Sequence, residues 1–170
     1  MEPLAAHAVG GSLHPLMTFP GPEVGLPPPV PATPAAVAGH PDAVKAATTL
    51  AHQLGWHPFP VPGDRRAYHA AAVVAGNHAT VLLGLASELL VAAGVPEDEA
   101  PSLLAPLAMA SIRNAAEVGP ARALTGPVSR GDESVLDAHR AVIQGLSPEI
   151  TETYEVLTRA TRRLLVRRRD

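Results

Sequence analysis

The chain of 170 residues contains no cysteine, which excludes disulfide bonds, thiolate chemistry and cysteine-based zinc sites. Aromatic residues make up only 3% of the sequence, so the core must be built mainly from alanine, leucine and valine. No uninterrupted apolar run reaches the roughly 18 residues of a membrane span. The N-terminus lacks the basic region of a signal peptide. We therefore predict a cytoplasmic protein with no membrane partner.

Lysine is almost absent: the chain has twelve arginines but a single lysine, Lys45. Any lysine acting as a general acid would have to be Lys45. The net charge of −3 provides no bulk attraction to nucleic acid. The basic segment 162–169 has no interleaved aromatic side chains that would stack on bases. We interpret this segment as a solvated helix end and expect no nucleic-acid partner.

The sequence also lacks the motifs that hold phosphate or metal ions. It contains no Gly-x-Gly-x-x-Gly and no other phosphate-cradling loop. There are eight histidines, but none forms a His-x-x-x-His or His-x-x-Glu pair, and His69 and His78 fall on opposite faces of a helix. We predict no metal site.

Proline divides the chain into two parts, because most of the 19 prolines precede residue 66. In the first part we predict short strands over 13–19, 35–38 and 56–61, a loop over 22–34 that is partly polyproline II, and a helix over 41–54. Prolines near the third strand place it at a sheet edge.

From residue 66 the pattern is helical. A helix over 67–93 is apolar nearly all round, which predicts a central, buried helix. A second helix over 97–118 is expected to break or kink at Pro106. A loop over 124–132 precedes a helix over 133–144 capped by Asp132, and a last helix starts at Ser147 or Pro148. The predicted fold is mainly α: a helical bundle (66–170) behind a small, incomplete α/β remnant (1–65).

Polar side chains at the start of the long apolar helix are the first candidates for a site. Burying Tyr68, His69 and Asn77 among alanines and valines costs several kcal/mol unless each is hydrogen-bonded, and helices that carry this cost often line a cleft. His69 and Asn77 lie eight residues apart, about 80° around a helix, so they could border one cleft. Histidine donates and accepts protons near neutral pH. Both residues could equally be satisfied polar groups at a packing joint.

Further candidates lie elsewhere in the chain. Arg130, with Thr125 at the start of its loop, could anchor an anion, or it could be a solvated side chain beside a helix cap. His14 stands before a proline at a strand end, where α/β sheets place ligands, although a turn histidine is the simpler interpretation. Asn114 could contact substrate or serve in packing or capping.

Three segments occur in an order that resembles a known family. They are residues 13–19 (LHPLMTF), residues 68–77 (YHAAAVVAGN) and residues 119–132 (GPARALTGPVSRGD). The chain resembles, over nearly its whole length, the Rossmann-like oxidoreductases that carry a C-terminal domain of unknown function. These are relatives of ketopantoate reductase and pyrroline-5-carboxylate reductase, and of the 6-phosphogluconate dehydrogenase C-terminal-like fold.

The resemblance implies an activity and a missing part. It implies a carbonyl or imine substrate against His69, Asn77 and Arg130, with hydride from NAD or NADP. In that family a Rossmann half with the glycine fingerprint precedes the His-Pro segment. Residues 1–65 resemble only its last strands, so we expect that this chain alone does not bind the cofactor. The chain would then be a truncated gene product, half of a split pair or a cloned fragment.

The chemistry departs from some of the wider relatives. Several of their reductases place a lysine four residues before the asparagine on this helix, where this chain has Val73. The resemblance therefore leaves His69, Tyr68 or His78 as the proton donor. We predict the substrate-binding and dimerisation half of an oxidoreductase-like protein, acting on a small molecule as a homodimer. The alternatives are a non-catalytic dimerisation or ligand-binding module, or a helical scaffold without a small-molecule site.

Overall fold

A computed structural model describes residues 9–19 and 32–167. The chain forms two compact units, Met1–Ala79 and Thr80–Asp170, and each is described by itself. Most of the predicted loop over 22–34 lies outside the described residues, as does the end of the basic tail. Within the described residues the fold is mainly helical with one three-stranded sheet, which confirms the predicted class.

The sheet of the first unit has the order β1-β2-β3. Strand β1 (Gly11–Pro15) pairs antiparallel with β2 (Pro34–Gly39), and β2 pairs parallel with β3 (His57–Pro60). The central strand is the buried one, through its Ala35–Val37 stretch. Two of the four β3 residues are prolines and cannot donate ladder hydrogen bonds, which explains the position of β3 at an edge. The first strand is shorter than predicted and begins two residues earlier.

Helix α1 (Pro41–Gln53) connects the two parallel strands and confirms the predicted helix. It packs so closely on β1 that a Cβ atom at Gly11 would lie 2.6 Å from the Cβ of Ala43. At the end of β2, Gly39 has φ +127°, and a Cβ there would lie 2.5 Å from the carbonyl oxygen of Gly10. Only glycine fits these two positions without a shift of the backbone.

The long apolar helix begins at Arg65, where Asp64 caps it by accepting a hydrogen bond from the backbone N–H of Arg66. It consists of α2 (Arg65–Val73), a π-helical segment (Val74–His78) and α3 (Ala79–Ala92). The sequence pattern gave no indication of the π-helical segment. Because this segment widens the turn, the 80° offset expected between His69 and Asn77 for a regular α-helix no longer holds.

The prediction that this helix is buried is wrong for the single chain. Ser87 is its only residue classed as buried. The apolar pattern indicates a surface that needs a partner, and within residues 9–19 and 32–167 no segment covers it. By length and composition alone the helix could cross a membrane, because its polar residues are too few to offset the apolar ones. Polar residues interrupt its apolar sequence, so no uninterrupted apolar run indicated such a helix. The same composition is typical of a core helix in a soluble protein.

The second unit contains five further helices among its described residues. They are α4 (Ala100–Val118), α5 (Pro120–Ala123), α6 (Pro127–Arg130), α7 (Glu133–Ile143) and α8 (Pro148–Val166). Leu136, Ile143 and Ile150 form its buried apolar centre on α7 and α8. Asp132 caps α7 by accepting a backbone N–H, as predicted. Ser147 caps α8 in the same way, and the helix begins at Pro148, one of the two predicted starts.

The structure differs from two predictions for this unit. Helix α4 is not broken at Pro106 but runs through it, and residues 97–99 form a turn that precedes the helix. Its other residues are mostly strong helix formers, so the helix continues although the proline removes one backbone hydrogen bond. The predicted loop over 124–132 contains a helical turn, α6, between Gly126 and Gly131, both of which have positive φ.

Large apolar side chains remain exposed on two helices that follow one another along the chain, α3 and α4. On α3 they are Val81, Leu82 and Val91. On α4 they are Leu103, Leu107, Met109, Ile112 and Val118. Those on α4 spread around more than one face of the helix, because their spacing does not follow a single 3.6-residue stripe.

Candidate active site

The candidate site lies in the first unit, where one row of the sheet meets the start of α2. The register pairs His14 with Ala36, and Ala36 with Phe59. Residues paired in this way project to the same face of a sheet. The central position of the row holds only a methyl group, which leaves space above the sheet between the histidine and the phenylalanine.

Tyr68 fills this space and is held by both ends of the row. Its ring contacts His14 edge-on, with centroids 5.5 Å apart and an interplanar angle of 87°. It also contacts Phe59, with centroids 6.2 Å apart. Edge-to-face packing of this kind fixes the ring orientation. The phenol is thereby positioned by the fold of the sheet as well as by its own helix.

The phenolic oxygen of Tyr68 lies 2.7 Å from Nδ1 of His14. A hydroxyl can donate to an unprotonated ring nitrogen and can accept from a protonated one, so the pair can exchange a proton. Burial raises the pKa of Tyr68 above its usual value, and the Arg65 guanidinium opposes that rise. The phenol is therefore protonated at neutral pH and is a hydrogen-bond donor.

An open cleft of about 440 Å³ borders this pair. Its lining residues are His14, Arg65, Arg66, Tyr68, His69 and Ala70. The ring of His69 faces that of His14, with centroids 6.5 Å apart. The helix places Arg65 three residues before Tyr68 and four before His69, which puts all three on one side of α2.

The two arginines of the cleft differ in their partners. Arg66 forms an ion pair with Asp64, with Nη2 2.8 Å from Oδ2 and Nε 3.1 Å from each carboxylate oxygen. This contact raises the pKa of Arg66 and lowers that of Asp64. Arg65 forms no ion pair within the described part of the chain. The cleft thus contains one neutralised guanidinium and one that is available.

The structure brings together three of the seven predicted site residues: His14, Tyr68 and His69. Asn77 lies in the π-helical segment, is exposed and is not among the residues lining this cleft. Arg130, Thr125 and Asn114 belong to the second unit, where all three are exposed. The convergence of His69, Asn77 and Arg130 stays a prediction.

Sequence reasoning missed Arg65 and Phe59. Arg65 stands directly before the polar cluster at helical spacing, a signal that could have been used. The part played by Phe59 depends on strand register, which no local pattern indicated. Among the described residues, no group of three or more acidic or histidine side chains is arranged to hold a metal ion.

The chain belongs to the family described as a domain of unknown function, DUF2520, whose model matches residues 33–161. No significant match to a curated protein exists. Among solved structures, protein TM1727 from Thermotoga maritima is 24% identical, with a TM-score of 0.75. The "putative NADP oxidoreductase BF3122" from Bacteroides fragilis is 25% identical, with a TM-score of 0.73. The first likeness shows the fold alone.

The chain covers only part of each of these two structures. In both cases 94% of this chain is matched, but this corresponds to 63% of the Thermotoga protein and 60% of the Bacteroides protein. The chain therefore spans less than two thirds of either neighbour. These comparisons show the family and the fold of the chain, and the oxidoreductase name is that of the Bacteroides protein.

Proposed function

We propose that the chain is the substrate-binding part of an NAD(P)-dependent oxidoreductase-like protein that acts on a small carbonyl or imine compound. The observation that carries this proposal is the 2.7 Å hydrogen bond between Tyr68 and His14 at the wall of an open cleft. Reduction of a C=O or C=N bond requires a proton at the oxygen or nitrogen. A positioned phenol backed by an imidazole is a suitable donor.

The described residues do not fit a dinucleotide. The βαβ unit β2-α1-β3 is where a Rossmann fold would bind pyrophosphate, at the N-terminus of its helix. Here the first helical residue is Pro41, which has no N–H, and the side chain of His40 accepts the N–H of Asp42. Of the first donors at this helix N-terminus, the one at residue 41 is therefore absent and the one at residue 42 is occupied. We therefore assign cofactor binding to a nucleotide-binding part outside the described residues, in the same polypeptide or in a separate chain.

Within the proposal the chain's own residues bind the substrate and deliver one proton. The substrate carbonyl oxygen or imine nitrogen accepts a hydrogen bond from the hydroxyl of Tyr68. In this arrangement the phenolic oxygen accepts a hydrogen bond from Nδ1–H of His14 in its imidazolium form. As the phenol transfers its proton to the substrate it takes the Nδ1 proton, which leaves the ring of His14 neutral. His69, on the same wall of the cleft, limits the space beside the substrate.

Self-association is a second part of the proposal. Helices α3 and α4 each leave several large apolar side chains exposed in the single chain, and apolar surface of this kind is ordinarily covered by a partner. We propose that a second copy of the chain covers these side chains and that the protein is a homodimer through these helices. A two-fold axis would place equivalent surfaces against each other.

A nuclear magnetic resonance titration with a neutral ketone tests the site. The chain has only two tyrosines, so labelling of tyrosine Cζ with ¹³C gives two resonances. Tyr154 is an internal control, because it also hydrogen-bonds a histidine, His139, at 2.9 Å in the second unit. With 2-butanone we expect saturable movement of the Tyr68 resonance alone.

Two outcomes would contradict the proposed site: no saturable shift, or equal shifts of both tyrosines. The Tyr68→Phe variant, followed through ¹³C-labelled histidine, tests whether the hydroxyl of Tyr68 contacts the ligand. If the hydroxyl holds the carbonyl, the variant binds 2-butanone about fivefold to tenfold more weakly, as expected for one hydrogen bond of about 1 kcal/mol. A ligand-binding module that does not use the hydroxyl would retain its affinity.

A further inference from the structure

We infer that the substrate of this cleft is a small carboxylate with an adjacent carbonyl or imine group, and that Arg65 is the residue that binds the carboxylate. This inference rests on the proposed function, since it names the class of compound that the same site would take. It assigns anion binding to a residue that lines the described cleft, and not to Arg130, for which the sequence allowed either an anion anchor or a solvated side chain.

The charges around the cleft are the first support. Its lining includes two guanidinium groups and two imidazoles but no carboxylate. Asp64 is the nearest acidic residue in the sequence, and Arg66 engages both of its oxygens. The guanidinium of Arg65 has no ion-pair partner in the described parts of the chain. The cleft therefore has an uncompensated positive charge, which attracts an anion and repels a cation.

The spacing along α2 is the second support. Residues three apart on a helix have Cβ atoms about 5–6 Å apart, so the side chains of Arg65 and Tyr68 reach over neighbouring space. A three-carbon compound can place its carboxylate at the arginine and its carbonyl oxygen at the phenol. A guanidinium binds a carboxylate through two parallel hydrogen bonds, which would orient such a ligand.

The two arginines also provide a matched pair for mutation. Both line the cleft and both are exposed, but only Arg66 is neutralised by Asp64. Loss of a charge-assisted contact by Arg65→Gln should weaken carboxylate binding about tenfold to hundredfold. The double substitution Asp64→Asn with Arg66→Gln, which removes the neutral pair as a whole and retains a capping side chain at residue 64, should change it less than threefold. Arg65→Lys, which retains the charge but not the paired geometry, should fall between wild type and Arg65→Gln.

The experiment compares pyruvate with pyruvamide, its neutral counterpart, by the shift of the Tyr68 Cζ resonance in the intact chain. We expect pyruvate to bind wild type at least tenfold more tightly than pyruvamide. Arg65→Gln should remove this difference and leave the affinity for pyruvamide within twofold. Circular dichroism of each variant verifies that the helix content is unchanged.

The other outcomes are distinct. If pyruvamide binds as tightly as pyruvate and Arg65→Gln has no effect, the carboxylate inference is overturned while the carbonyl site stands. If neither compound moves Tyr68, both proposals fail. If pyruvate shifts Tyr154 equally, the effect is general surface charge and the inference is overturned. Tighter displacement by inorganic phosphate than by pyruvate would overturn the assignment to a carboxylate.

Discussion

Replacement of Leu107 by glutamine should weaken the proposed homodimer without unfolding the chain. Leu107 lies on α4 and exposes 66% of its surface in the single chain. A fully buried leucine side chain contributes about 1.5–3 kcal/mol, so the exposed two thirds correspond to about 1–2 kcal/mol. A symmetric dimer contains the residue twice, which gives about 2–4 kcal/mol in total. The dissociation constant should therefore rise about 30-fold to several hundred-fold.

Val142 on α7 provides the matched control. It exposes 63% of its surface, nearly the same fraction as Leu107, but α7 already buries Leu136 and Ile143 inside the second unit. Sedimentation equilibrium of wild type, Leu107→Gln and Val142→Gln at submicromolar to tens of micromolar concentrations measures the three dissociation constants. We expect only Leu107→Gln to shift the equilibrium. A wild-type chain that is monomeric at tens of micromolar, or equal effects of the two substitutions, would refute the assignment of α4 to the interface.

Three further predictions concern the first unit. Gly39→Ala should destabilise this unit by about 3 kcal/mol or more, since strain at φ +127° adds to a clash with backbone atoms. Gly55→Ala, at φ +72° in open space, should cost only about 1 kcal/mol. Urea unfolding followed by the fluorescence of the single tryptophan compares the two variants. Arg65→Gln should raise the pKa of Tyr68 further, because the cation that favours the phenolate is removed, and leave that of Tyr154 unchanged; a ¹³C pH titration measures both. Calorimetry should detect no NADPH binding by the isolated chain, and a micromolar dissociation constant would contradict the assignment of cofactor binding to another part.

Most helix ends were predictable because they depend on local chemistry. Asp132 and Ser147 accept the first free N–H groups of α7 and α8, and such caps are visible in the sequence as polar residues before an amphipathic run. Pro58 and Pro60 likewise indicated an edge strand, since neither can donate to a ladder. In each case the determinant lies within a few residues of the element that it defines.

The errors arose where the determinant is not local. An apolar helix was expected to be buried because the hydrophobic effect requires its surface to be covered, but the sequence does not say whether the same chain or a second copy covers it. The π-helical segment Val74–His78 inserts a wider turn without a characteristic residue pattern. A break was predicted at Pro106 because proline removes one backbone hydrogen bond of a helix. The remaining hydrogen bonds of α4 are sufficient to maintain the helix.

Only part of the candidate site could be predicted from the sequence, for the same reason. Tyr68 and His69 were noticed because titratable side chains are unusual at the start of an apolar helix. His14 was noticed at the end of a strand. Their meeting depends on a register that aligns His14, Ala36 and Phe59 across three strands, and register is a long-range property. Arg65 was overlooked because an exposed arginine at a helix start is ordinarily solvated.

The second tyrosine–histidine pair of the chain, Tyr154 with His139, can be compared with the pair at the candidate site. The two tyrosines each hydrogen-bond Nδ1 of a histidine, at 2.7 Å for Tyr68 and 2.9 Å for Tyr154, and burial raises the pKa of both phenols. Beside Tyr154, the charges are already compensated, because Arg140 binds Asp137 and Glu155 at 2.7 Å each. That second pair belongs to a network that joins α7 to α8.

Beside Tyr68 the positive charges are not all paired with carboxylates. The pair borders an open cleft, and the neighbouring Arg65 has no carboxylate partner in the described residues. The strand residue paired with His14 is Ala36, whose side chain is only a methyl group. A structural role explains the hydrogen bond of either pair equally well, but it does not explain a cleft whose positive charge is left unpaired. The difference between the two pairs therefore lies in their surroundings, and this is why the ketone and pyruvate titrations are judged by the movement of Tyr68 relative to Tyr154.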